Sequence, residues 1–282
     1  MRADTSFDER LRRVEGRHNP RVKELRRAFR EAAPNPDGEV AVEGMHLVEE
    51  AIRSGLRIST VFFNDSARQR AHKLLPQLSA HTEALLLSDD MFASVAPTET
   101  PQGIAALVRV RSFALEDLLK SQPALLMMTV GLQDPGNLGT IARSGEAFGA
   151  TGLLLGEGTV SPWNWKAVRG SAGSIFRLPS TRVPLHGALP ELKTRGIRVL
   201  ATSSHKGTPA WEAELREPVA ILIGGEGAGV PKEVLAQADE LIAIPHSSNV
   251  ESLNAGIAAA VVLYEAARQR TNQPQRHRDT EE

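Results

Sequence analysis

The chain has 282 residues, with 33 Lys and Arg against 34 Asp and Glu and a formal net charge of −1. This length accommodates two domains that each bury a core, and the balanced charge excludes a global basic field, so nucleic-acid binding would rest on local patches. The sequence contains no cysteine, which excludes disulfide frameworks and thiolate metal sites. We find no secretory signal and no apolar run long enough for a bilayer, so we expect a cytoplasmic protein.

The chain begins with a polar stretch and then a basic helix. Residues 1–15 are expected to be flexible, while residues 19–32 are predicted to form a helix that buries Val22, Leu25 and Phe29. The basic residues on the rest of this helix are either solvated or face RNA phosphates. The sequence does not separate these two interpretations.

The elements that follow have a βαβα order. We predict strands at 40–42, 60–63, 84–87 and 103–110, and helices at 44–54, 66–78 and from 89. This order indicates a small α/β sandwich over residues 16–110. A linker at 111–123, with one amphipathic turn, separates it from the rest of the chain.

Residues 124–270 are predicted to form a second α/β domain, followed by a disordered tail at 271–282. Its strands are expected at 124–130, 153–155, 197–202, 219–223 and 241–244, and its helices at 137–148, 165–173 and 253–267. Strands separated by helices at this spacing indicate a parallel sheet. Ligands bind such sheets outside the carboxyl ends of the strands.

The helix predicted at 137–148 begins with Asn137 as its N-cap and ends at Gly149. Its inward stripe comprises Leu138, Ile141, Ala142, Gly145 and Phe148. Arg143 lies outside that stripe, so a solvent-exposed side chain is its simplest interpretation. The N-terminus of the helix can accept an anion, which leaves a functional interpretation open.

A glycine-rich turn at 224–229 follows one of the predicted buried strands. Its glycines allow the backbone to approach a ligand closely, but the turn matches neither the P-loop nor the dinucleotide fingerprint. A purely structural turn is the alternative. Glu226 is flanked by glycines and has few local partners, which makes it a candidate acceptor.

The loop before the helix at 253–267 contains two polar candidates. Ser252 can cap the helix without any functional role. The helix is apolar almost all round and is expected to be buried, so the Asn254 amide needs a partner or a ligand, with capping as the alternative. The eight histidines lack metal-ligand spacing and no serine lies in a G-x-S-x-G context, so we predict no metal and no acyl-transfer triad.

Three stretches, in this order, resemble the motifs of the SpoU (TrmH-like) branch of the SPOUT RNA methyltransferases. They are 137–143 with 148–150, then 223–229, and then 244–245 with 250–258. A match to three motifs in the same order is far more specific for a family than a match to one motif alone. The resemblance covers about residues 125–268, and residues 16–110 are similar to the family's N-terminal substrate-binding domain in layout more than in motif.

The resemblance implies an α/β fold with two parts, a smaller N-terminal α/β sandwich and a C-terminal domain with a parallel sheet. The C-terminal domain is expected to be threaded into a deep trefoil knot. Such knots are rare exceptions to the rules of chain connection. The resemblance also implies S-adenosylmethionine as cofactor, a homodimer, and methyl transfer to a ribose 2′-hydroxyl of RNA, with ribosomal RNA expected ahead of transfer RNA. By motif match, the cofactor-binding residues are Thr202, Gly224, Gly225, Gly227, Ile244 and Leu253. The catalytic residues are Arg143, Asn137, Glu226, Asn254 and, as a weaker member, Ser252.

A 2′-hydroxyl is a poor nucleophile until its proton is accepted or polarised, and arginine, with a pKa above about 12, is a poor general base. Arg143 is therefore expected to orient the nucleophile and an adjacent phosphate, or to act as base only with RNA bound. The sequence departs from the family at Gly225, where relatives often have Ser or Ala, and at 255–256, where a Val-Ser pair is common. Neither departure removes a catalytic group.

Two other functions are compatible with parts of the sequence. The first is that of a non-catalytic RNA-binding or ribosome-associated protein that retains the knot fold, and the intact candidate residues argue against it. The second is that of a dinucleotide-dependent α/β enzyme, which the missing fingerprint disfavours.

Overall fold

The computed structural model describes residues 10–16, 18–227, 229–247 and 249–271. These residues divide into two compact units. Unit 1 comprises the described residues up to Ser112 together with Asp134–Arg143 and Val160–Arg177. Unit 2 comprises Phe113–Gln133, Ser144–Thr159 and the described residues from Leu178 onward. The domain boundaries inferred from the sequence stay a prediction.

The regular elements are numbered in chain order. The strands are β1 Leu11–Arg13, β2 Glu39–Glu43, β3 Arg57–Asn64, β4 Glu83–Leu87, β5 Ile104–Arg109, β6 Leu125–Val130, β7 Gly152–Leu155, β8 Ser180–Arg182, β9 Arg198–Ser203, β10 Thr208–Pro209, β11 Val219–Gly224 and β12 Glu240–Ala243. The α-helices are α1 Pro20–Glu31, α2 Met45–Arg53, α3 Arg68–Leu74, α4 Asp89–Ala93, α5 Leu115–Leu118, α6 Pro135–Ala147, α7 Trp165–Gly170, α8 Leu185–Thr194, α9 Lys232–Leu235 and α10 Ala255–Thr271. Single 3-10 turns lie at Asp65–Ala67, Leu75–Gln77 and Ser174–Phe176.

Unit 1 contains a five-stranded mixed sheet in the order β1-β4-β3-β5-β2. Strands β1 and β3 run parallel to β4, whereas β5 is antiparallel to both β3 and β2. Helix α1 begins as predicted, since the Asn19 Oδ1 accepts the Arg21 N–H at 2.9 Å. Val22 and Leu25 are fully buried and Phe29 is buried at the same core, so the predicted stripe is confirmed.

The expectation of a flexible N-terminus is wrong for the part that the structure describes. Residues 11–13 form β1, in which Leu11 pairs with Ala84 of β4. Leu11 and Val14 are buried while Arg12 and Arg13 are exposed. Two apolar residues within a basic stretch are too few to produce a periodic signal, although they suffice for one short edge strand. Residues 1–9 lie outside the described residues.

Unit 2 contains a seven-stranded sheet in the order β10-β12-β9-β11-β6-β7-β8, and every neighbouring pair is parallel. This confirms the predicted parallel sheet. Every residue of β6 is buried, as expected for a central strand with both faces covered. Strands β8 and β10 and helix α8 were not predicted, because the strands are only two or three residues long and α8 carries Pro190 in its interior.

Helix α10 differs from the expectation of a helix buried all round. Ala259, Val262 and Leu263 are fully buried, but Ile257, Val261 and Tyr264 are 52%, 39% and 57% exposed. These last three residues, spaced four and three apart, share one side of the helix and are called the apolar face of α10. The Phe148 ring meets Tyr264 edge-on, with centroids 5.8 Å apart.

The C-terminal end of α10 extends further than expected. Thr271 is still helical, so the disordered tail predicted at 271–282 is wrong for this residue, and residues 272–282 lie outside the described residues. In the described part of the chain, no helix combines the length and the apolar character needed to cross a bilayer.

Candidate functional site

The carboxyl ends of four neighbouring strands of unit 2 lie side by side. Val130 at the end of β6 pairs with Gly224 at the end of β11, and Ser203 at the end of β9 pairs with Ala243 at the end of β12. Since all of these strands are parallel, the loops that follow them emerge at one edge of the sheet. This edge is where an open α/β sheet places its ligand.

The turn after β11 folds the backbone back on itself. The Gly229 N–H donates to the Gly225 carbonyl at 3.0 Å, and both Gly227 and Gly229 have positive φ, at 84° and 65°. A Cβ on Gly224 would lie 2.2 Å from the Gly229 carbonyl carbon. A side chain at position 224 is therefore incompatible with this turn.

The same turn packs on the loop after β6. A Cβ on Gly225 would lie 2.0 Å from the carbonyl oxygen of Gly131. We call Gly131, Gly224, Gly225, Gly227 and Gly229 the glycine cradle. Its glycines let the two loops pack backbone against backbone at the edge where an open α/β sheet binds its ligand.

Glu226 is exposed and occupies the turn itself. Its carboxylate accepts the Gln133 backbone N–H at 3.4 Å, which links the turn after β11 to the loop after β6. The carboxylate is therefore held by the protein, in contrast to the few local partners expected from its glycine neighbours.

Thr202 and Ile244 border the same edge. Thr202 is half-buried and its Oγ1 donates to the Leu222 carbonyl at 3.0 Å, so the hydroxyl ties β9 to β11. Ile244 is half-buried and follows β12, and its carbonyl accepts from His246 Nδ1 at 2.7 Å. Both residues offer backbone groups at the edge where the glycine cradle lies.

Asn254 is the N-cap of α10. Its Oδ1 accepts the Ile257 N–H at 3.1 Å, and its carbonyl accepts the Ala258 N–H at 2.8 Å. The alternative that Asn254 caps the helix is therefore confirmed. Ser252 does not take this role, because the helix begins at Ala255, too late for Ser252 to reach its first free N–H groups. Asn254 and Ser252 are exposed, and Leu253 between them is half-buried.

Asn137 and Arg143 lie on α6 in unit 1. The helix begins at Pro135, and the Asp134 Oδ1 accepts the N–H groups of Gly136 at 2.5 Å and Asn137 at 3.1 Å. The prediction of Asn137 as N-cap is therefore wrong, and an Asp followed by Pro at the first helical position was the signal to use. Asn137 is buried in the first turn, and Arg143 is exposed as expected.

The structure thus brings together one group of the predicted residues, at the carboxyl ends of neighbouring strands of one sheet or directly after them. These residues are Thr202, Gly224, Gly225, Glu226, Gly227 and Ile244. Sequence reasoning missed Gly131, whose role depends on packing between loops, and Gln133, which acts through its backbone N–H. It also gave His246 no role, although this residue follows Ile244 and Pro245 directly.

One carboxylate cluster lies elsewhere, in unit 1. Ligand atoms of Glu24, Asp37 and Glu39 lie within 4.8 Å of one another. The Asn35 side-chain amide donates to Glu24 at 2.9 Å and to Glu39 at 3.2 Å, which disperses the repulsion between these acids. The cluster is explained by this amide, and the absence of a metal stays a prediction.

Two regions of the chain match the profiles of known protein families. The profile of the SpoU rRNA Methylase family matches residues 124–264, and that of the MRM3-like substrate binding domain matches residues 19–106. The 23S rRNA (guanosine(2553)-2′-O)-methyltransferase RlmP of Bacillus subtilis is 34% identical over 254 residues, which cover 90% of this chain and 98% of RlmP. The 23S rRNA (uridine(2479)-2′-O)-methyltransferase of Streptomyces viridochromogenes is 30% identical over 243 residues, 83% of this chain and 84% of that protein.

Solved structures of RNA methyltransferases also superpose on this chain. The SpoU methyltransferase AviRb from Streptomyces viridochromogenes, in complex with AdoMet, superposes with a TM-score of 0.80 at 27% identity, covering 91% of this chain and all of AviRb (100%). The AdoMet-bound rRNA methyltransferase from Sinorhizobium meliloti superposes with a TM-score of 0.79 at 28% identity, covering 92% of this chain and 98% of that one. The chain therefore belongs to the SpoU rRNA Methylase family.

Proposed function

We propose that this protein is an S-adenosylmethionine-dependent methyltransferase that modifies a ribose 2′-hydroxyl of ribosomal RNA. Relatives that align over nearly the whole chain are named as 2′-O-methyltransferases of 23S rRNA, and two structural neighbours are described with AdoMet bound. The structural observation that carries the proposal is the glycine cradle at the carboxyl edge of the parallel sheet of unit 2. A cytoplasmic location is part of the proposal and is supported by the rRNA-modifying relatives.

The cofactor is assigned to the loops that follow β9, β11 and β12. The residues proposed to hold it are Thr202, Gly224, Gly225, Gly227, Ile244 and Leu253. The fit is supported by the position of these residues at the carboxyl edge of the parallel sheet, where the glycines let two loops pack backbone against backbone. Backbone donors and acceptors suit an adenosine, whose ring nitrogens, amino group and hydroxyls offer both kinds of partner. When bound, S-adenosylmethionine supplies an activated methyl group.

The chain's own residues then have to bind the RNA ribose and handle its proton. Arg143 is proposed to orient the 2′-hydroxyl and the adjacent phosphate, because a guanidinium forms a fixed fork of donors that suits phosphate oxygens. Its exposure leaves it accessible to RNA. Positioning accounts for much of the rate, since the methyl group is already activated.

Four further residues are proposed to support this reaction. Glu226 and Asn254 order the loops and the reacting ribose, a role that fits the Glu226 contact with Gln133 and the cap of α10 by Asn254. Asn137 assists from the first turn of α6, and Ser252 is a weaker member of the set.

RNA delivery is proposed for α1, within the region that matches a substrate binding domain. Three of its arginines have acidic neighbours: Arg21 meets Glu24 at 2.8 Å, while Arg27 and Arg30 both meet Glu31 at 3.8 Å. Lys23 and Arg26 are exposed, and among the described residues neither has an ion-pair partner. These two side chains are the ones available to phosphates.

We also propose the knotted path and the homodimer of the family. The knotted path is proposed because the chain belongs to the SpoU rRNA Methylase family, whose profile matches residues 124–264. The homodimer is supported by the apolar face of α10, since three exposed apolar side chains on one side of a helix are typical of an interaction surface. A second copy of the chain is the partner proposed for this face.

Calorimetry separates the proposal from the two other functions. Binding of S-adenosylmethionine is expected and binding of nicotinamide dinucleotides is not, whereas a non-catalytic RNA-binding protein binds neither. Mapping of 2′-O-methyl groups in RNA from cells with and without the gene then identifies the substrate. Loss of a 2′-O-methyl group from transfer RNA alone would contradict the assignment to ribosomal RNA.

A further inference from the structure

His246 carries an unused acceptor at the edge where the cofactor is proposed to bind. It follows Ile244 and Pro245 after β12, and it is half-buried. Its Nδ1 lies 2.7 Å from the Ile244 carbonyl oxygen. A carbonyl only accepts, so Nδ1 carries a hydrogen, and in the neutral ring Nε2 then holds the lone pair.

The Nε2 atom is buried, and the described residues offer it no hydrogen-bond donor. Burying an acceptor without a donor costs free energy, so such atoms in native proteins usually have a partner. In the neutral ring, the partner of Nε2 has to be a hydrogen-bond donor.

The His205 ring lies beside that of His246. His205 follows the end of β9, which pairs with β12 at Ser203 and Ala243. The ring centroids of His205 and His246 are 5.7 Å apart with an angle of 35° between the planes. The hydrogen bond to the Ile244 carbonyl sets the orientation of the His246 ring and with it the direction of Nε2, and removal of the exposed His205 ring leaves that hydrogen bond in place.

We propose that His246 is a positioning residue for the cofactor, and that its Nε2 accepts a hydrogen bond from an amino or hydroxyl group of bound S-adenosylmethionine. The inference rests on the proposed function. The cofactor carries suitable donors in its adenine amino group, its two ribose hydroxyls and its ammonium group. The role belongs to the His246 side chain and adds to the backbone groups that the glycine cradle offers.

The test compares two variants, each of which keeps the hydrogen bond made by one of the two ring nitrogens and loses the other. In His246→Asn, the amide nitrogen takes the place of Nδ1 and can still donate to Ile244, but nothing replaces Nε2. In His246→Gln, the amide reaches the place of Nε2. His205→Ala, at an exposed residue, removes the neighbouring ring and leaves both nitrogens of His246.

Calorimetry with S-adenosylmethionine on the full chain, without RNA, is expected to show a Kd raised about tenfold or more for His246→Asn and within about threefold of wild type for His246→Gln and His205→Ala. Equal affinity of His246→Asn and wild type overturns the inference. Failure of the wild type itself to bind S-adenosylmethionine instead overturns the proposed function.

Nitrogen NMR of the wild-type chain, labelled with 15N-histidine, covers the case in which a variant does not fold. Addition of S-adenosylmethionine is expected to move the Nε2 resonance of His246 upfield, as when a lone pair accepts a hydrogen bond, while Nδ1 stays protonated. A resonance that the cofactor leaves in place, or that only RNA moves, contradicts the assignment.

Discussion

Gly225 packs directly on the backbone of Gly131: a Cβ on Gly225 would lie 2.0 Å from the Gly131 carbonyl oxygen and 2.6 Å from its carbonyl carbon. The turn after β11 and the loop after β6 therefore fit together only because position 225 has no side chain.

Gly225→Ala is expected to separate these loops. The overlap is with backbone, which cannot rotate away, so we expect a loss of about 1–3 kcal/mol in the free energy of unfolding and a weaker affinity for S-adenosylmethionine. Urea unfolding and calorimetry measure the two effects. The control is Gly187→Ala in α8, where a Cβ meets no atom within 4 Å and the helix favours alanine. An alanine variant at 225 that binds as tightly as wild type would show that the loops have room to move.

Arg143→Ala is expected to lower the rate of methyl transfer by about 100-fold or more while leaving the affinity for S-adenosylmethionine unchanged. Arg143→Lys should be nearly as slow, because a lysine ammonium lacks the planar fork of donors. Single-turnover transfer and calorimetry on the same preparations separate chemistry from cofactor binding. If Arg143→Ala transfers the methyl group at the wild-type rate, Arg143 takes no part in the mechanism.

Replacing both Lys23 and Arg26 by alanine is expected to weaken RNA binding and to reduce the salt dependence of the affinity by roughly 0.7–0.9 in log-log slope per lost phosphate contact. The matched control replaces Arg27 and Arg30, whose side chains share Glu31. Filter binding at several salt concentrations measures both pairs. If the salt dependence of RNA affinity is unchanged in the Lys23 and Arg26 variant, these side chains are solvated and do not contact RNA.

Much of the fold follows from local sequence, and the departures have physical causes. The α1 stripe and the buried strand β6 are visible in periodicity and in an apolar run, which depend on neighbours in sequence. The contact of Gly225 with Gly131 joins two loops that are far apart in the chain, so no local pattern predicts it.

The candidate site is predictable to a similar extent. The glycine turn and Glu226 are visible as a motif, but the Gln133 N–H that Glu226 accepts is a backbone group without a sequence signature. Asn254 is a functional candidate by motif and a helix cap by geometry, and the sequence permits both. The apolar face of α10 is indistinguishable from core in sequence, because the exposed and the buried positions of this helix both carry apolar residues.

Val261→Asp is expected to convert the proposed dimer to a monomer, since it places a charge at the centre of the apolar face of α10. Sedimentation velocity at micromolar concentration measures the change. His186→Asp, an exposed residue in the first turn of α8, introduces the same charge elsewhere in unit 2 and should leave the assembly intact. A wild-type chain that sediments as a monomer contradicts the dimer.

Arg270→Ala is expected to destabilise unit 2 by about 2–3 kcal/mol. The Arg270 guanidinium donates to four backbone carbonyls, those of Leu215 at 2.9 Å, Pro123 at 3.1 Å, Ala124 at 2.9 Å and Glu217 at 3.0 Å. Burial lowers the pKa of this guanidinium, which nevertheless stays charged at neutral pH. Its loss leaves the carbonyls of Leu215, Pro123 and Glu217 without this donor, whereas the Ala124 carbonyl keeps the Val219 N–H at 3.0 Å.

The control for Arg270→Ala is Lys120→Ala, which removes an ion pair with Asp117 at the surface of unit 2 and should cost less than about 1 kcal/mol. Urea unfolding of both variants measures the difference. Equal stability of the two variants would mean that water replaces the buried guanidinium without cost.

Transfer of a radioactive methyl group from S-adenosylmethionine to ribosomal RNA isolated from cells that lack the gene tests the central claim most directly. We predict incorporation at a single nucleotide, recovered after alkaline hydrolysis as a dinucleotide whose ribose 2′-oxygen carries the methyl group, and no incorporation with Arg143→Ala. A methyl group recovered on a base, or no transfer to any RNA by a chain that binds S-adenosylmethionine, would contradict it.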